Sequence, residues 1–297
     1  MRNYWLIALG LLGIGCLDFE KQTMTYRHYP KADTLVIWQQ FEGIYGRSRG
    51  DQLSGEEKGQ LKSVLAGRRT FFFSNWITEF NADALIEMEA ELKTKIKKGE
   101  FEEDPELLKQ QLRVVQLLRA NVSIRNGAFY LNAQGRLSAS QEVTVRNIGK
   151  ILTEANQLIR ISLRDSIARD ETGLNAEDEH LLEQSLEQRL LYLTLEGQHL
   201  RVRWPISGKS YKGQMQDEDV QKAIGFLRDA GGDVRHAQGQ MTVELKGKPG
   251  QPTALAGTTG KHHYRPNVVP YVKVTPAYQP DKVREDFFRN TDRRYKK

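Results

Sequence analysis

Cysteine is almost missing from this chain: one copy in 297 residues, at position 16. A single thiol closes no intramolecular disulfide and cannot supply the several thiolates of a structural zinc site. Histidine is scarce too, with six copies, and none falls in an HExxH pair, so the familiar zinc-hydrolase pattern is absent. Nor does the chain beyond residue 16 carry a GxSxG elbow, an SxxK pair or a GxGxxG loop, which removes the most legible nucleophile and dinucleotide sites. No apolar run reaches the ~20 residues that cross a bilayer as a helix. A polytopic membrane protein is excluded, and no cofactor or metal is implied.

What remains is an ordinary globular composition, 39% apolar and 28% charged, long enough for one large domain or two smaller ones. No segment repeats at a fixed period, which excludes solenoids. Charge is unevenly placed. The net charge is +6, and residues 261–297 alone hold ten Lys or Arg against four acids, also +6, so everything before them sums to zero.

Two glycine-lysine pairs suggest phosphate loops and fail on spacing. Gly208-Lys209-Ser210 would need its first glycine at Arg203, and residues 257–261 would need one at Leu255. The tandem His262-His263 sits in a basic, punctuated segment with no acid or cysteine nearby and reads as a solvated pair.

The N-terminus is more specific. After Arg2, residues 4–17 run without charge, and Asp18 and Glu20 follow. A positive start, a short apolar stretch and small residues before a cut are the ingredients of an export signal, and the stretch is too short to span. The lone cysteine stands at its end. Gly13-Ile14-Gly15-Cys16 resembles the lipobox of bacterial lipoproteins, although Gly13 stands where that family usually has Leu. The resemblance covers about the first twenty residues. It implies diacylglycerol on the Cys16 sulfur, cleavage before Cys16 and acylation of the new amino group. Ordinary cleavage that releases a soluble protein, and an uncleaved anchor, are the alternatives. Each route exports the chain to the cell membrane, the outer membrane or beyond, which argues against nucleic acid as a partner. Several acyl chains hold stably where one binds reversibly, and acylation leaves no free thiol.

Hydrophobic patterning divides the rest. Residues 1–15 read as signal, 16–22 as a lipidated tether, 23–246 as a globular body of one or two subdomains, and 247–297 as a flexible basic tail rich in Pro and Gly. Within the body, residues 23–28, 34–41 and 70–77 read as strands, and a short helix fits 55–65. Leu85, Met88, Leu92 and Ile96 make a helical stripe, and Asp104-Pro105 starts a second helix that pairs with the first. Asn126-Gly127 between two strand-like runs predicts a tight hairpin turn, followed by a strand over 137–145 and a long helix from Asn147 to about Ala168. Another helix starts at Asn175. Residues 191–195 and 200–204 predict a hairpin, 217–230 a helix and 234–246 a last hairpin. The fold class expected is α+β, with antiparallel sheets segregated from amphipathic helices. Boundaries between subdomains are expected near residues 99–104 or 168–175.

Candidate site residues are few. His199, Arg201 and Arg203 alternate along one strand face and form a stripe that could take an anion, with Arg235 and His236 as extensions; a solvated sheet face is the competing explanation. Trp38, Phe41 and Tyr45, and Phe71 to Phe73 with Trp76, read as core. Lys282, Arg284, Arg289, Arg293, Arg294, Lys296 and Lys297 form the basic tail, expected to meet anionic lipid or an acidic envelope partner. The function expected is that of an envelope lipoprotein, a binding or structural module; an exported hydrolase is the alternative.

Overall fold

The computed structural model describes residues 17–48, 51–70, 80–99, 104–169, 172–217, 232–247 and 264–296, positions 220, 221, 224, 225 and 228, and the backbone of 253–258. The first strands are β1 (Leu17–Asp18), β2 (Lys21–Tyr29), β3 (Thr34–Glu42) and β4 (Tyr45–Gly46). Then come α1 (Gly55–Leu65), α2 (Ala82–Lys98), α3 (Pro105–Asn121), β5 (Val122–Leu131), β6 (Leu137–Arg146), α4 (Ile148–Ala168) and α5 (Ala176–Glu187). They are followed by β7 (Leu193–Glu196), β8 (His199–Pro205), α6 (Gly208–Gln214), β9 (Gly232–Ala237), β10 (Gln240–Lys246), β11 (Thr253–Thr258) and α7 (Pro280–Tyr295). The strands named here pair antiparallel, in an α+β fold. The expected strand over 70–77 and its aromatic run lie largely outside the described residues, as does much of the 217–230 helix.

Two compact units share the chain, and each is built from separated segments: Leu85–Ala120 and Asn147–Gly250 belong to one, Leu11–Ala84, Asn121–Arg146 and Gln251–Lys297 to the other. Neither 99–104 nor 168–175 is a boundary. The chain changes unit inside α2, at the end of α3 and between β6 and α4, where no linker composition marks the passage, and again between Gly250 and Gln251, in the Pro- and Gly-containing stretch that follows residue 246.

The first unit is organised around a five-stranded sheet in the order β11-β2-β3-β6-β5. Its central strands are buried on both faces, so their residues do not alternate cleanly between apolar and polar. One face holds Phe41, Phe129, Leu137 and Ala139, packed with Leu61 and Val64 of α1 and with Val268. The expected turn at Asn126-Gly127 is corrected. β5 runs on through it with a register shift between Asn126 and Phe129, so that two residues, Gly127 and Ala128, oppose Ser140 alone. A β-carbon on Gly127 would lie 2.1 Å from Ser140 Oγ, so only glycine fits this bulge. The reversal comes at Asn132 to Arg136, where the Asn132 side chain accepts from the amides of Gln134 and Arg136 and Gly135 takes φ 70°.

The expected loose tail is also corrected. β11 adds to the edge of the sheet against β2, a 3-10 turn covers Pro266–Tyr271, and α7 lies on the opposite sheet face. Proline does not break this segment, because Pro280 and Pro266 each stand at the start of a helical turn, where a missing N–H costs nothing. Val283, Phe287, Phe288 and Tyr295 form one stripe at helical spacing and pack on Tyr29, Val36 and Trp38. Burying two phenylalanines contributes about 1.5–3 kcal/mol each. The tether is corrected likewise. Leu17, Asp18 and Phe19 are no more than 5% exposed, and Leu17 and Asp18 pair with Gly46 and Tyr45.

The second unit contains a four-stranded sheet in the order β7-β8-β10-β9, with the helices α2 to α6. The expected hairpins over 191–204 and 234–246 are both present, the latter reversing at Gln238-Gly239 with φ 51° and 70°. α2 and α3 are tied by Glu89, which takes Arg119 and Gln116, and α3 is tied to α4 through Gln110 and Glu154. The open edge of β7 is closed by a side chain: Asn156 of α4, 2% exposed, donates to Leu193 O at 2.8 Å and accepts from Leu193 N at 2.9 Å. That blocks strand addition at this edge.

Candidate functional site

Alternation along the four-stranded sheet sends Leu200, Val202 and Trp204 of β8 to one face with Met241, Val243 and Leu245 of β10 and Val234 of β9. The other face receives His199, Arg201 and Arg203. The sequence stripe is therefore real, and the register shows what it faces. Directly across the strands lie the rows His199–Lys246, Thr194–Arg201–Glu244–Asp233 and Arg203–Thr242–Arg235.

Glu244 supplies the anion. Its side chain is 4% exposed and accepts from Arg201 Nη2 at 2.7 Å. His199 Nδ1 lies at 3.7 Å, Arg235 Nη2 at 3.6 Å and Lys246 Nζ at 3.5 Å. The hydrogen bond from Arg201, with the field of Arg201 and Lys246, outweighs desolvation and holds the Glu244 carboxyl below the usual range. Arg201 also approaches Glu196 at 3.9 Å. Two of the three stripe residues thus answer an internal carboxylate. Arg203 does not reach it, and its row places Thr242 between two guanidinium side chains on strands about 4.8 Å apart. β9 neighbours β10 and not β8, so Arg235 joins the polar face across Glu244. His236 does not: its Nε2 bonds Ile206 O at 2.8 Å, and its ring stacks on Tyr211 on the other face.

Sequence reasoning missed Glu244, Thr242 and Lys246. The signal for them was the alternation of Gln240, Thr242, Glu244 and Lys246 opposite Met241, Val243 and Leu245, which needed only a correct strand order to be read against β8.

Gly208-Lys209-Ser210 forms the first turn of α6 and serves a structural latch. Asp178, 4% exposed, accepts from Ser207 N at 2.6 Å, from Asn175 Nδ2 at 2.6 Å and from Ser210 Oγ. Asn175 and Ser207 cap α5 and α6, so one carboxylate joins two helix starts. Burial alone would raise Asp178; the hydrogen bonds from Ser210, Ser207 and Asn175 reverse this and lower it. This serine–carboxylate pair includes no histidine. Among the described residues, neither His199 nor His236 hydrogen-bonds a hydroxyl, and a depression of about 470 Å³ is lined by Lys93, Thr94, Lys97 and Lys98 of one helix, away from both rings.

Cys16 and Lys297 lie outside the described residues, as does His262-His263. Of the remaining tail cations, Arg284 pairs with Asp281 at 3.1 Å, Arg289 with Asp286 at 3.2 Å and Lys296 with Asp292 at 3.0 Å. Lys282, Arg293 and Arg294 are exposed, Arg294 over the Tyr295 ring at 5.1 Å. Asp281 stands in the first turn of α7 and Arg293 and Arg294 in its last, which suits the helix dipole. Asp292 is bound by the buried Arg27 and by the Tyr29 hydroxyl at 2.8 Å.

Among the described residues no group of three or more His, Cys, Asp or Glu could hold a metal ion, and no helix is long and apolar enough to cross a membrane. Compared with protein-family models, curated proteins and solved structures, the chain finds no match.

Proposed function

We propose that this chain is an exported lipoprotein of the bacterial envelope, anchored through acyl chains on Cys16, whose body is a binding or structural module. The observation that carries the proposal is the lone cysteine at the end of the only signal-like run, in Gly13-Ile14-Gly15-Cys16. Against the hydrolase alternative stand the partners of the two candidate histidines: a carboxylate beyond hydrogen-bond range for His199, a backbone carbonyl for His236. In favour of binding stands the polar sheet face, where Arg203 and Arg235 flank Thr242 next to a carboxylate already engaged by Arg201.

The test is the intact mass of protein recovered from the membrane fraction, with Cys16→Ser beside it. The expected mass is that of residues 16–297 plus acyl chains, and the substitution abolishes both the added mass and the membrane association. A soluble, unmodified, full-length product overturns the proposal.

A further inference from the structure

We infer that the row Arg203–Thr242–Arg235, on the polar face of the four-stranded sheet, binds the terminal phosphate of a soluble phosphomonoester. The inference rests on the reading of this body as a binding module and takes nothing from Cys16.

Register brings the three side chains together. β8, β10 and β9 lie side by side, and Arg203, Thr242 and Arg235 stand directly opposite one another on them. Two strand spacings, about 9.6 Å, separate the two arginine backbones, so each guanidinium has to cross only one spacing to stand above Thr242. Thr242, 9% exposed, is the floor of the row. Among the described residues neither its hydroxyl nor the Arg203 guanidinium has a hydrogen-bond or ion-pair partner. Arg235 ends 3.6 Å from Glu244, beyond hydrogen-bond range, and its side chain is 56% exposed.

The acids of this face already have cations of their own. Glu244 accepts from Arg201 at 2.7 Å, Asp233 from Lys246 at 3.4 Å, and Glu196 lies 3.9 Å from Arg201. On the other side of the row, Pro205, Gln240 and Ala237 bring one amide and no charge. Arg203 and Arg235 are therefore the surplus positive charges of the sheet, and they flank one hydroxyl.

Donor geometry selects the anion. A guanidinium fork takes two oxygens side by side. A carboxylate, or the two free oxygens of a phosphodiester, satisfies one fork and leaves the other arginine and Thr242 unanswered. A phosphomonoester presents three terminal oxygens and a charge of about −1.5 to −2 at neutral pH, which serves a fork from either side with the hydroxyl between them and matches two guanidinium charges. Its ester oxygen then points outward. The side chains next to the row on this face are Gln240 and Glu244, and neither offers an apolar surface to an acyl chain, so the esterified group is one that stays in water.

The experiment is calorimetric titration of the full chain, in detergent, with glycerol monophosphate in chloride buffer. One saturable site is expected. Arg203→Gln and Arg235→Gln are each expected to weaken it about tenfold, the loss of one charge-assisted hydrogen-bonded partner. Arg203→Lys, which keeps the charge and removes the fork, is expected to weaken it nearly as much, while Lys246→Gln on the same face changes it by less than about twofold. Glycerophosphocholine, a diester, and acetate are expected to bind about tenfold more weakly than the monoester. Absence of a saturable site overturns the proposal, as does equal binding of the diester or acetate. So does a Lys246→Gln loss as large as that of Arg203→Gln, which would make the face an undirected basic surface. Binding to phosphatidic acid vesicles that glycerol monophosphate fails to displace would overturn the soluble ligand in favour of a lipid headgroup. Cys16→Ser is expected to titrate like the parent chain, so a protein without acyl mass overturns the anchor and leaves the phosphate site to be judged by its own titration.

Discussion

The two sheets are built on different rules. β8 exposes every residue but its last to an intermediate degree, one face apolar and one charged, and its sequence alternates accordingly. β2 is buried along almost its whole length, yet reads Lys-Gln-Thr-Met-Thr-Tyr-Arg-His-Tyr, with Gln22, Thr25, Arg27 and His28 all below 9% exposure. A half-exposed sheet stabilises its polar residues through water and neighbouring charges. In a sheet covered on both faces such groups depend on partners from distant sequence, which the side chains of Gln22 and Thr25 do not find among the described residues and Arg27 does. For Arg27 that partner is Asp292, 265 residues away, delivered by the very segment that looks like a tail. Polar residues are thus half exposed on the four-stranded sheet and enclosed in the interior of the five-stranded unit.

That division can be broken most severely at α7. Deleting the chain from Pro280 exposes Tyr29, Val36 and Trp38 and leaves Arg27 buried without its carboxylate; the five-stranded unit is expected to unfold or precipitate at ambient temperature, measured by loss of near-ultraviolet dichroism and by sedimentation. A true tail would be removed without effect. Phe288→Ala, a milder form of the same cut, is expected to cost about 3–5 kcal/mol in urea unfolding. Asp292→Asn, which keeps the shape and removes the charge opposite a guanidinium 7% exposed, is expected to cost about 3 kcal/mol. A cost below about 0.5 kcal/mol in either variant would put α7 back among solvated surface elements.

How much of this was legible follows the same line. The four-stranded sheet, the helices starting at Asn147 and Asn175 and the α2–α3 pair could be read from alternation, caps and helical stripes, because local pattern and burial agree there. In the five-stranded unit they part. Asn126-Gly127 is a strong turn signal, but Asn132 and Gly135 further along make the better turn, and the pleat instead absorbs Gly127 as a bulge against Ser140. The stripe Val283, Phe287, Phe288 and Tyr295 was present in the sequence and was masked by proline count, although Pro280 opens the helix. Of the candidate site, His199, Arg201 and Arg203 were legible as a face. Glu244 was not assigned to it, since nothing local says which strand pairs with β8.

The polar face of the four-stranded sheet supplies the smaller effects. Glu244 is held below its ordinary value first by the hydrogen bond from Arg201; Asp178, Glu57 and Asp292 are also lowered, because hydrogen bonds outweigh their burial. A lowered carboxylate stabilises the fold above its unfolded value, about 4.3 for Glu and 3.9 for Asp, and that stability is lost as pH falls through the folded value. Glu142, raised by burial, works in the opposite sense. Stability is therefore expected to be flat from pH 7 to about 5 and to fall below about 4.3, and Glu244→Gln, costing about 1–2 kcal/mol at pH 7, is expected to shrink that fall when urea midpoints are compared at pH 7, 4 and 3. Arg203→Ala comes last. Because Arg203 neither reaches Glu244 nor lines the apolar face, its loss is expected to move stability by less than about 0.5 kcal/mol, while Arg201→Ala, which strips Glu244 of its hydrogen-bonded partner, costs clearly more. If the two arginines cost the same, the polar face is one structural network like the interior of the other sheet. If they differ as expected, Arg203 is surplus to the fold and stands outside the carboxylate network of Glu244.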